Sequence, residues 1–141
     1  MPATPSADLD VVKAFYSTLL SKPTTVTLDD VYAVFAKDAD SIPTPPMGPG
    51  PEGIFKTLKY FGQVVPDLQW VPDEILQDGN RYTVRSTFTG TPVGPFLTVE
   101  QPTGKSFQAM SIDVLVVENG RVQTTYHLED WMSVIGQLTT A

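Results

Sequence analysis

The chain of 141 residues can hold one domain with its own hydrophobic core but not two ordinary domains, so we predict a single domain over residues 1–141. Its formal net charge of -7, without a basic cluster, argues against binding to nucleic acid or to an anionic membrane. The chain lacks cysteine, a signal-peptide pattern and any apolar run of the roughly 18 residues that a membrane span needs, which favours a cytoplasmic protein.

The N-terminal part is predicted to form two helices. Residues 1–5 show no periodicity and are expected to be irregular. Apolar side chains then recur at helical spacing over residues 7–21, which predicts an amphipathic helix. Thr27 and Asp30 form a capping pattern for a second, short helix that reaches about Lys37.

A proline-rich loop over residues 38–51 follows, with a short edge strand predicted at residues 41–42. The part of the chain before this loop is too short to hold its own core, so we interpret the loop as folded over a single domain and not as a linker. Pro51 suits the first turn of a third helix, predicted over residues 51–65.

The remaining chain is mostly of strand type. Residues 68–76 and 81–90 flank an Asp78-Gly79 turn and predict a hairpin, and residues 96–99 predict a short strand. Residues 105–138 predict a long hairpin around Asn119-Gly120 and a closing helix. Helices followed by antiparallel strands indicate an α+β fold with the helices on one face of a curved sheet.

Five short segments, in this order and spacing, resemble the SnoaL-like polyketide cyclase family of the nuclear-transport-factor-like superfamily: VPDLQW, FTGTPVGPF, PTGKSFQ, VVENGRV and the closing DxxxxxxQL. The resemblance covers essentially the whole chain. It implies a cone, in which three N-terminal helices and a short C-terminal helix wrap a strongly curved mixed sheet around an apolar pocket.

The same resemblance implies intramolecular aldol cyclisation of polyketide esters, without cofactor or metal, by an acid/base Asp and a nearby His. The family's His position falls on Asp113 and its Asp position falls on His127, so the two residue types are exchanged. If the alignment is shifted, Asp130 becomes the acid/base. Pro92 replaces a His that many relatives carry.

The register of the last hairpin decides whether this pair can act together. A two-residue turn would pair Asp113 with Tyr126 and place His127 on the opposite face of the sheet. A three-residue loop that includes Glu118 would pair Asp113 with Thr125 and place Asp113 and His127 diagonally on one face, within reach of a hydrogen bond.

In the second register we predict that His127 is the general base or acid and that Asp113 orients it, because the ordinary pKa of His suits proton transfer near neutral pH. A buried carboxylate needs a partner, and Arg85 is the alternative to His127. The Glu129-Asp130 pair is expected to cap the last helix. Side chains predicted to bind substrate are Phe15, Trp70, Tyr82, Arg85, Phe107, Ser111 and Tyr126.

These features predict a cofactor-independent cyclase or isomerase of secondary metabolism that acts on a polyketide-type or similar apolar carbonyl compound. An ester or epoxide hydrolase and a non-catalytic ligand-binding or accessory domain remain alternatives. One face of the long hairpin carries Met110, Ile112, Val114 and Val116 and is too apolar for solvent, which predicts a homodimer formed through the sheet.

Overall fold

The structure, a computed structural model, describes residues 5–140, so residues 1–4 of the predicted irregular segment and the last residue of the predicted domain lie outside it. Four helices, a π-helical segment and five strands follow one another along the chain: α1 (Pro5–Ala14), the π-helical segment (Phe15–Leu20), α2 (Leu28–Val34), β1 (Phe35–Ile42), α3 (Gly50–Val64), β2 (Gln69–Asp78), β3 (Arg81–Gly90), β4 (Phe107–Glu118), β5 (Arg121–Glu129) and α4 (Trp131–Thr139).

The three N-terminal helices are confirmed, with changes at their ends. The first begins at Pro5 and widens into the π-helical segment. The second starts with the predicted capping box, in which the Asp30 amide donates to Thr27 at 3.1 Å and the Thr27 amide donates to Asp30 at 2.9 Å. It ends at Val34 and not near Lys37, because Phe35 is extended and pairs with Val122 of β5.

The five strands form one mixed sheet in the order β1-β5-β4-β3-β2. β1 runs parallel to β5, and the other three pairings are antiparallel. The predicted edge strand at residues 41–42 is therefore the end of a longer strand. The segment predicted as a strand at residues 96–99 contains only one bridge, between Phe96 and Val99. The helices and the curved sheet confirm the predicted α+β cone.

Alternation along β3 and β4 divides the sheet into two faces. On β4, Phe107, Ser111, Asp113 and Leu115 are buried under the helices. Met110 and Ile112 point the other way and are 48% and 45% exposed. Within residues 5–140 we find no helix with the length and hydropathy needed to cross a bilayer.

Candidate active site

A bulge sets the register of the β4–β5 hairpin. Asn119 and Gly120, both at positive φ, form a two-residue turn between Glu118 and Arg121. The pairing then shifts by one position, because Gln123 is an extra residue in β5. Both predicted registers are thereby corrected.

The consequence is direct pairing across the two strands. Asp113 lies opposite His127, where the predictions placed Tyr126 or Thr125. Directly opposed residues share a face of the sheet. Asp113 and His127 therefore face the same side of the sheet, as the three-residue loop predicted, although the turn has two residues.

Asp113 is a buried acid held by a tyrosine. Its side chain is 2% exposed, its Oδ2 accepts a hydrogen bond of 2.7 Å from the hydroxyl of Tyr16, and its Oδ1 has no hydrogen-bond partner within residues 5–140. Burial raises the pKa of Asp113 to about 7; the charge of Glu129 adds to the rise, while the Tyr16 hydrogen bond and the charge of His127 oppose it. Asp113 therefore exchanges a proton near neutral pH.

Tyr16 reaches Asp113 from the π-helical segment. Its ring is fully buried, and burial raises the pKa of its hydroxyl well above the ordinary value, with the nearby charge of Asp113 adding to the effect. The hydroxyl therefore remains a proton donor. The neighbouring Phe15 lines a cavity that Asp113 also borders. One turn of this segment therefore supplies both a hydrogen bond to the acid and an apolar wall of that cavity.

His127 is bound at both ring nitrogens. Nδ1 lies 2.9 Å and 3.2 Å from the two carboxylate oxygens of Glu129, and Nε2 lies 2.7 Å from the carbonyl oxygen of Pro43. A carbonyl oxygen and an ionised carboxylate can only accept, so this geometry favours the imidazolium, which donates from both nitrogens. Burial lowers the pKa of His127, but the hydrogen bond and charge of Glu129, the Pro43 carbonyl and the charge of Asp113 together raise it above its ordinary value.

The predicted hydrogen bond between Asp113 and His127 is therefore wrong: Tyr16 binds the acid, and Glu129 orients the imidazole. The alternative partner Arg85 is also wrong. It lies on the outer face, where it forms ion pairs with Asp73 and Glu74 at 3.7 Å. Position 85 alternates with the buried residues on either side of it, so its side chain leaves the interior.

A cavity of about 330 Å³ joins these groups to an aromatic chamber. At one end lie polar side chains from β1, β4 and β5: Ser41, Asp113, Thr125, His127 and Glu129. The rest of the lining includes aromatic side chains from the π-helical segment, β1, α3, β2, a loop and α4: Phe15, Phe35, Tyr60, Phe61, Trp70, Phe96 and Trp131. Sites of this kind bind mostly apolar molecules and orient them with a few polar groups.

Two loops complete the cavity wall. Pro45 and Pro46 belong to the proline-rich loop, and Leu97 lies at the tip of the segment between β3 and β4. The proline-rich loop is held to the sheet by the hydrogen bond from His127 to Pro43. This loop therefore folds over the domain, as the sequence predicted.

Five of the other predicted substrate-binding residues divide into three groups. Phe15 and Trp70 line the cavity. Ser111 and Phe107 support lining residues: Ser111 accepts a hydrogen bond of 2.9 Å from the Trp70 indole, and Phe107 stacks on Phe96 at 6.1 Å between ring centroids. Tyr126 is 42% exposed on the outer face and lies away from the cavity, because it precedes His127 in a strand whose side chains alternate.

Asp130 and Tyr82 also lie outside the cavity wall. Asp130 caps α4, since its Oδ1 accepts from the Ser133 amide at 3.1 Å, which confirms the expected cap for this member of the Glu129-Asp130 pair. Tyr82 borders a larger groove of about 770 Å³ between α1, the π-helical segment and β2. That groove contains neither Asp113 nor His127, so we place the candidate active site in the smaller cavity.

Sequence reasoning missed Tyr16 and Glu129. A signal for Glu129 exists, because residues two apart in a strand share a face and Glu129 follows His127 at that spacing. Tyr16 gives no such signal, since it is 97 positions from Asp113. Among residues 5–140 there is no group of three or more His, Asp or Glu side chains arranged to hold a metal ion.

The titration of Asp113 predicts a pH-dependent stability. Its pKa is raised in the folded chain, so its proton stabilises the fold below the ordinary value of 3.8, and this contribution is lost as pH rises through about 7. The unfolding free energy of the wild type should therefore fall by up to roughly 4 kcal/mol over this pH range. Asp113→Asn should abolish this fall, because Asn does not titrate. Urea titrations between pH 4 and 8 measure it, with exposed Asp10→Asn as the control. Parallel wild-type and Asp113→Asn curves would contradict the shift.

Comparison with known proteins places this arrangement in a family. The sequence model of the SnoaL-like polyketide cyclases matches residues 10–138. No curated protein gives a significant match.

Solved structures share the fold at low identity. TsrD from Streptomyces laurentii has a TM-score of 0.83 at 20% identity, with 99% of both chains covered. IdmH from Streptomyces antibioticus, assigned as a polyketide cyclase, has a TM-score of 0.80 at 22% identity, with 94% of this chain and 99% of IdmH covered. AclR from Streptomyces galilaeus, assigned as a hydroxylase, has a TM-score of 0.74 at 17% identity, with 96% of this chain and 82% of AclR covered. The family match supports a cyclase-type function, and the chain belongs to the SnoaL-like polyketide cyclase family.

Proposed function

We propose that this chain is a cofactor-independent cyclase of secondary metabolism that closes a ring in a polyketide-type carbonyl compound, with Asp113 as the acid/base. One observation carries the proposal: a buried carboxylic acid with a pKa of about 7 and an unpartnered oxygen borders an aromatic cavity. A general acid/base works best when its pKa lies near the working pH. His127 is the weaker candidate, because both of its ring nitrogens already bind protein groups.

In the proposed reaction, the Asp113 carboxylate removes a proton from a carbon next to a carbonyl group. The resulting enolate carbon attacks a second carbonyl carbon of the same molecule, which forms the new carbon–carbon bond and an alkoxide. The protonated Asp113 returns its proton to that alkoxide, so the acid ends in its starting state. Tyr16 holds the carboxyl group in place, and the His127–Glu129 pair provides a polar wall beside it.

The polar end of the cavity supports catalysis over the alternative of a non-catalytic accessory domain. Asp113, His127 and Glu129 line the same space. Burying such groups costs free energy, and acids with a shifted pKa cluster at functional sites. An ester or epoxide hydrolase would use the same groups to activate water, and the absence of hydrolysis products distinguishes a cyclase from it.

Deuterium exchange tests the proton transfer before the natural substrate is known. Ethyl benzoylacetate carries an acidic C–H between two carbonyl groups beside an aromatic ring, so it matches the proposed chemistry. In D₂O, the protein should accelerate loss of the α-proton NMR signal over the protein-free rate. Failure to accelerate exchange in a series of aromatic β-keto esters would contradict the acid/base proposal.

We further propose that two copies associate through the outer sheet face, which carries exposed apolar side chains at Val71, Met110, Ile112, Tyr126 and Leu128. Strands β2, β4 and β5 present such residues on this face, so a copy related by a two-fold axis would cover them with the same surface.

A charge on this face should separate the copies. Leu128 is 74% exposed, and we expect Leu128→Glu to convert a dimer into a monomer in sedimentation experiments, because a buried unpaired charge is costly. Met132→Glu is the matched control, since Met132 is 80% exposed on α4 and outside this face. A wild-type chain that sediments as a monomer would contradict the proposed dimer.

A further inference from the structure

The polar end of the cavity has no spare positive charge. Within residues 5–140, no Lys or Arg lines the cavity. The cation that does line it, His127, is neutralised by Glu129 at 2.9 Å, and Asp113 lies opposite on β4. A negatively charged ligand group at this end would therefore meet one neutralised pair and a second carboxyl group.

Most of the hydrogen-bond donors around the cavity are also occupied. Tyr16 donates to Asp113 and the Trp70 indole donates to Ser111. The Thr125 hydroxyl donates to Ser41 at 2.9 Å. His127 binds the Pro43 carbonyl with the nitrogen that does not face Glu129. In the described part of the lining, the donors left free are two neutral groups, the Ser41 hydroxyl and the Trp131 indole, and Oδ1 of Asp113 is a free acceptor.

We infer that the cavity takes uncharged carbonyl compounds, such as ketones, esters or amides, and rejects the corresponding free carboxylates, with Glu129 as the residue that sets this selectivity. This inference rests on the proposed function for the location of the substrate. A ligand carboxylate would lose its hydration without finding an unpaired cation, and it would lie near two protein carboxyl groups. It would also oppose the reaction, because an enolate formed beside it would carry a second negative charge.

Binding can be measured with the protein's own fluorescence. The chain has 2 Trp residues, and both, Trp70 and Trp131, line the cavity. Tetralin-2-carboxamide and tetralin-2-carboxylate have nearly the same shape and differ in charge, and neither absorbs where tryptophan alone is excited. At pH 8 we expect the amide to quench the fluorescence with an affinity about tenfold or more above that of the carboxylate.

A charge-removing variant identifies the residue responsible. Glu129→Gln keeps the side-chain shape and removes the carboxylate that pairs with His127, so the imidazole can take up a proton and pair with a ligand carboxylate instead. The carboxylate ligand should therefore gain affinity, and the amide-to-carboxylate ratio should fall towards one or below it. Glu118→Gln is the matched control, because Glu118 is exposed at the far end of the same hairpin. This control should keep the wild-type ratio.

The wild-type comparison tests the inference even if Glu129→Gln does not fold. Equal or tighter binding of the carboxylate by the wild type overturns it, as does the failure of both probes to bind. An unchanged ratio in folded Glu129→Gln overturns the role of Glu129. The acid/base proposal fails separately: selective amide binding without protein-dependent deuterium exchange contradicts the proposed function and leaves the charge selectivity standing.

Discussion

Replacement of Asp113 by Asn is expected to slow α-proton exchange of ethyl benzoylacetate by about a hundredfold to ten-thousandfold, the usual contribution of a general acid/base. Asn keeps the size of the side chain and an oxygen that accepts from Tyr16, but it cannot take or return a proton. NMR in D₂O measures the exchange rate, and tryptophan quenching by tetralin-2-carboxamide checks that the cavity still binds a neutral ligand.

Two further variants separate Asp113 from the other predicted acid/base residues. Asp130→Asn should retain the exchange rate and the fold, because Asp130 is the N-cap of α4 and Asn is an equally good cap. His127→Gln should slow exchange less than Asp113→Asn does, because the His127 nitrogens are occupied. If His127→Gln lost α-proton exchange completely and Asp113→Asn retained it, the assignment would be reversed and His127 would be the base.

Tyr16→Phe should move the pH dependence of exchange upward. The Tyr16 hydrogen bond lowers the pKa of Asp113, so its loss raises that pKa further above about 7. Exchange requires the ionised carboxylate, and its rate therefore rises with pH through the pKa of Asp113. A hydrogen bond to a charged group contributes a few kcal/mol at most, so the pH of half-maximal exchange should increase by about one to two units.

The pH profile separates this positioning role from a purely structural one. If Tyr16 only filled space, Tyr16→Phe would change the maximal rate or the stability and leave the half-maximal pH in place. Tyr126→Phe removes a hydroxyl from the outer face, so it is the matched control and should leave the profile unchanged. An unshifted profile in folded Tyr16→Phe would contradict the positioning role.

Much of the fold could be predicted because burial leaves a period in the sequence. Apolar residues at helical spacing located the three N-terminal helices, and alternation located β3 and β4, including the interior face that contains Asp113. Turn chemistry located both hairpins, since Gly79 and Gly120 adopt the positive φ that their turns require. These patterns are local, so they can be found without knowledge of the folded chain.

Errors arose where a distant segment overrides the local pattern. Phe35 continues the helical spacing of α2, but its backbone pairs with Val122 of β5 and becomes a strand. Pairing with a neighbouring strand satisfies backbone groups that the end of a helix would leave free. The helical spacing therefore predicted a helix at the point where β1, an edge strand of the sheet, begins.

The hairpin register was mispredicted for a similar reason. The Asn119-Gly120 pair predicts a two-residue turn, and that turn is present. Nothing in the sequence around Gln123 shows the bulge that shifts the pairing by one residue. Because side chains alternate with a period of two, this single residue decides whether His127 shares a face with Asp113.

The sequence by itself determined that Asp113 and His127 belong to the last hairpin of an α+β domain, since hydrophobic alternation and turn residues are local properties. Only the tertiary structure decided which groups these side chains bind. The hydroxyl of Tyr16 and the carbonyl of Pro43 lie 97 and 84 positions away in the chain, so packing of the helices and the proline-rich loop brings them to the site. Burial by those segments also raises the pKa of Asp113, because a charge is less stable where water is excluded.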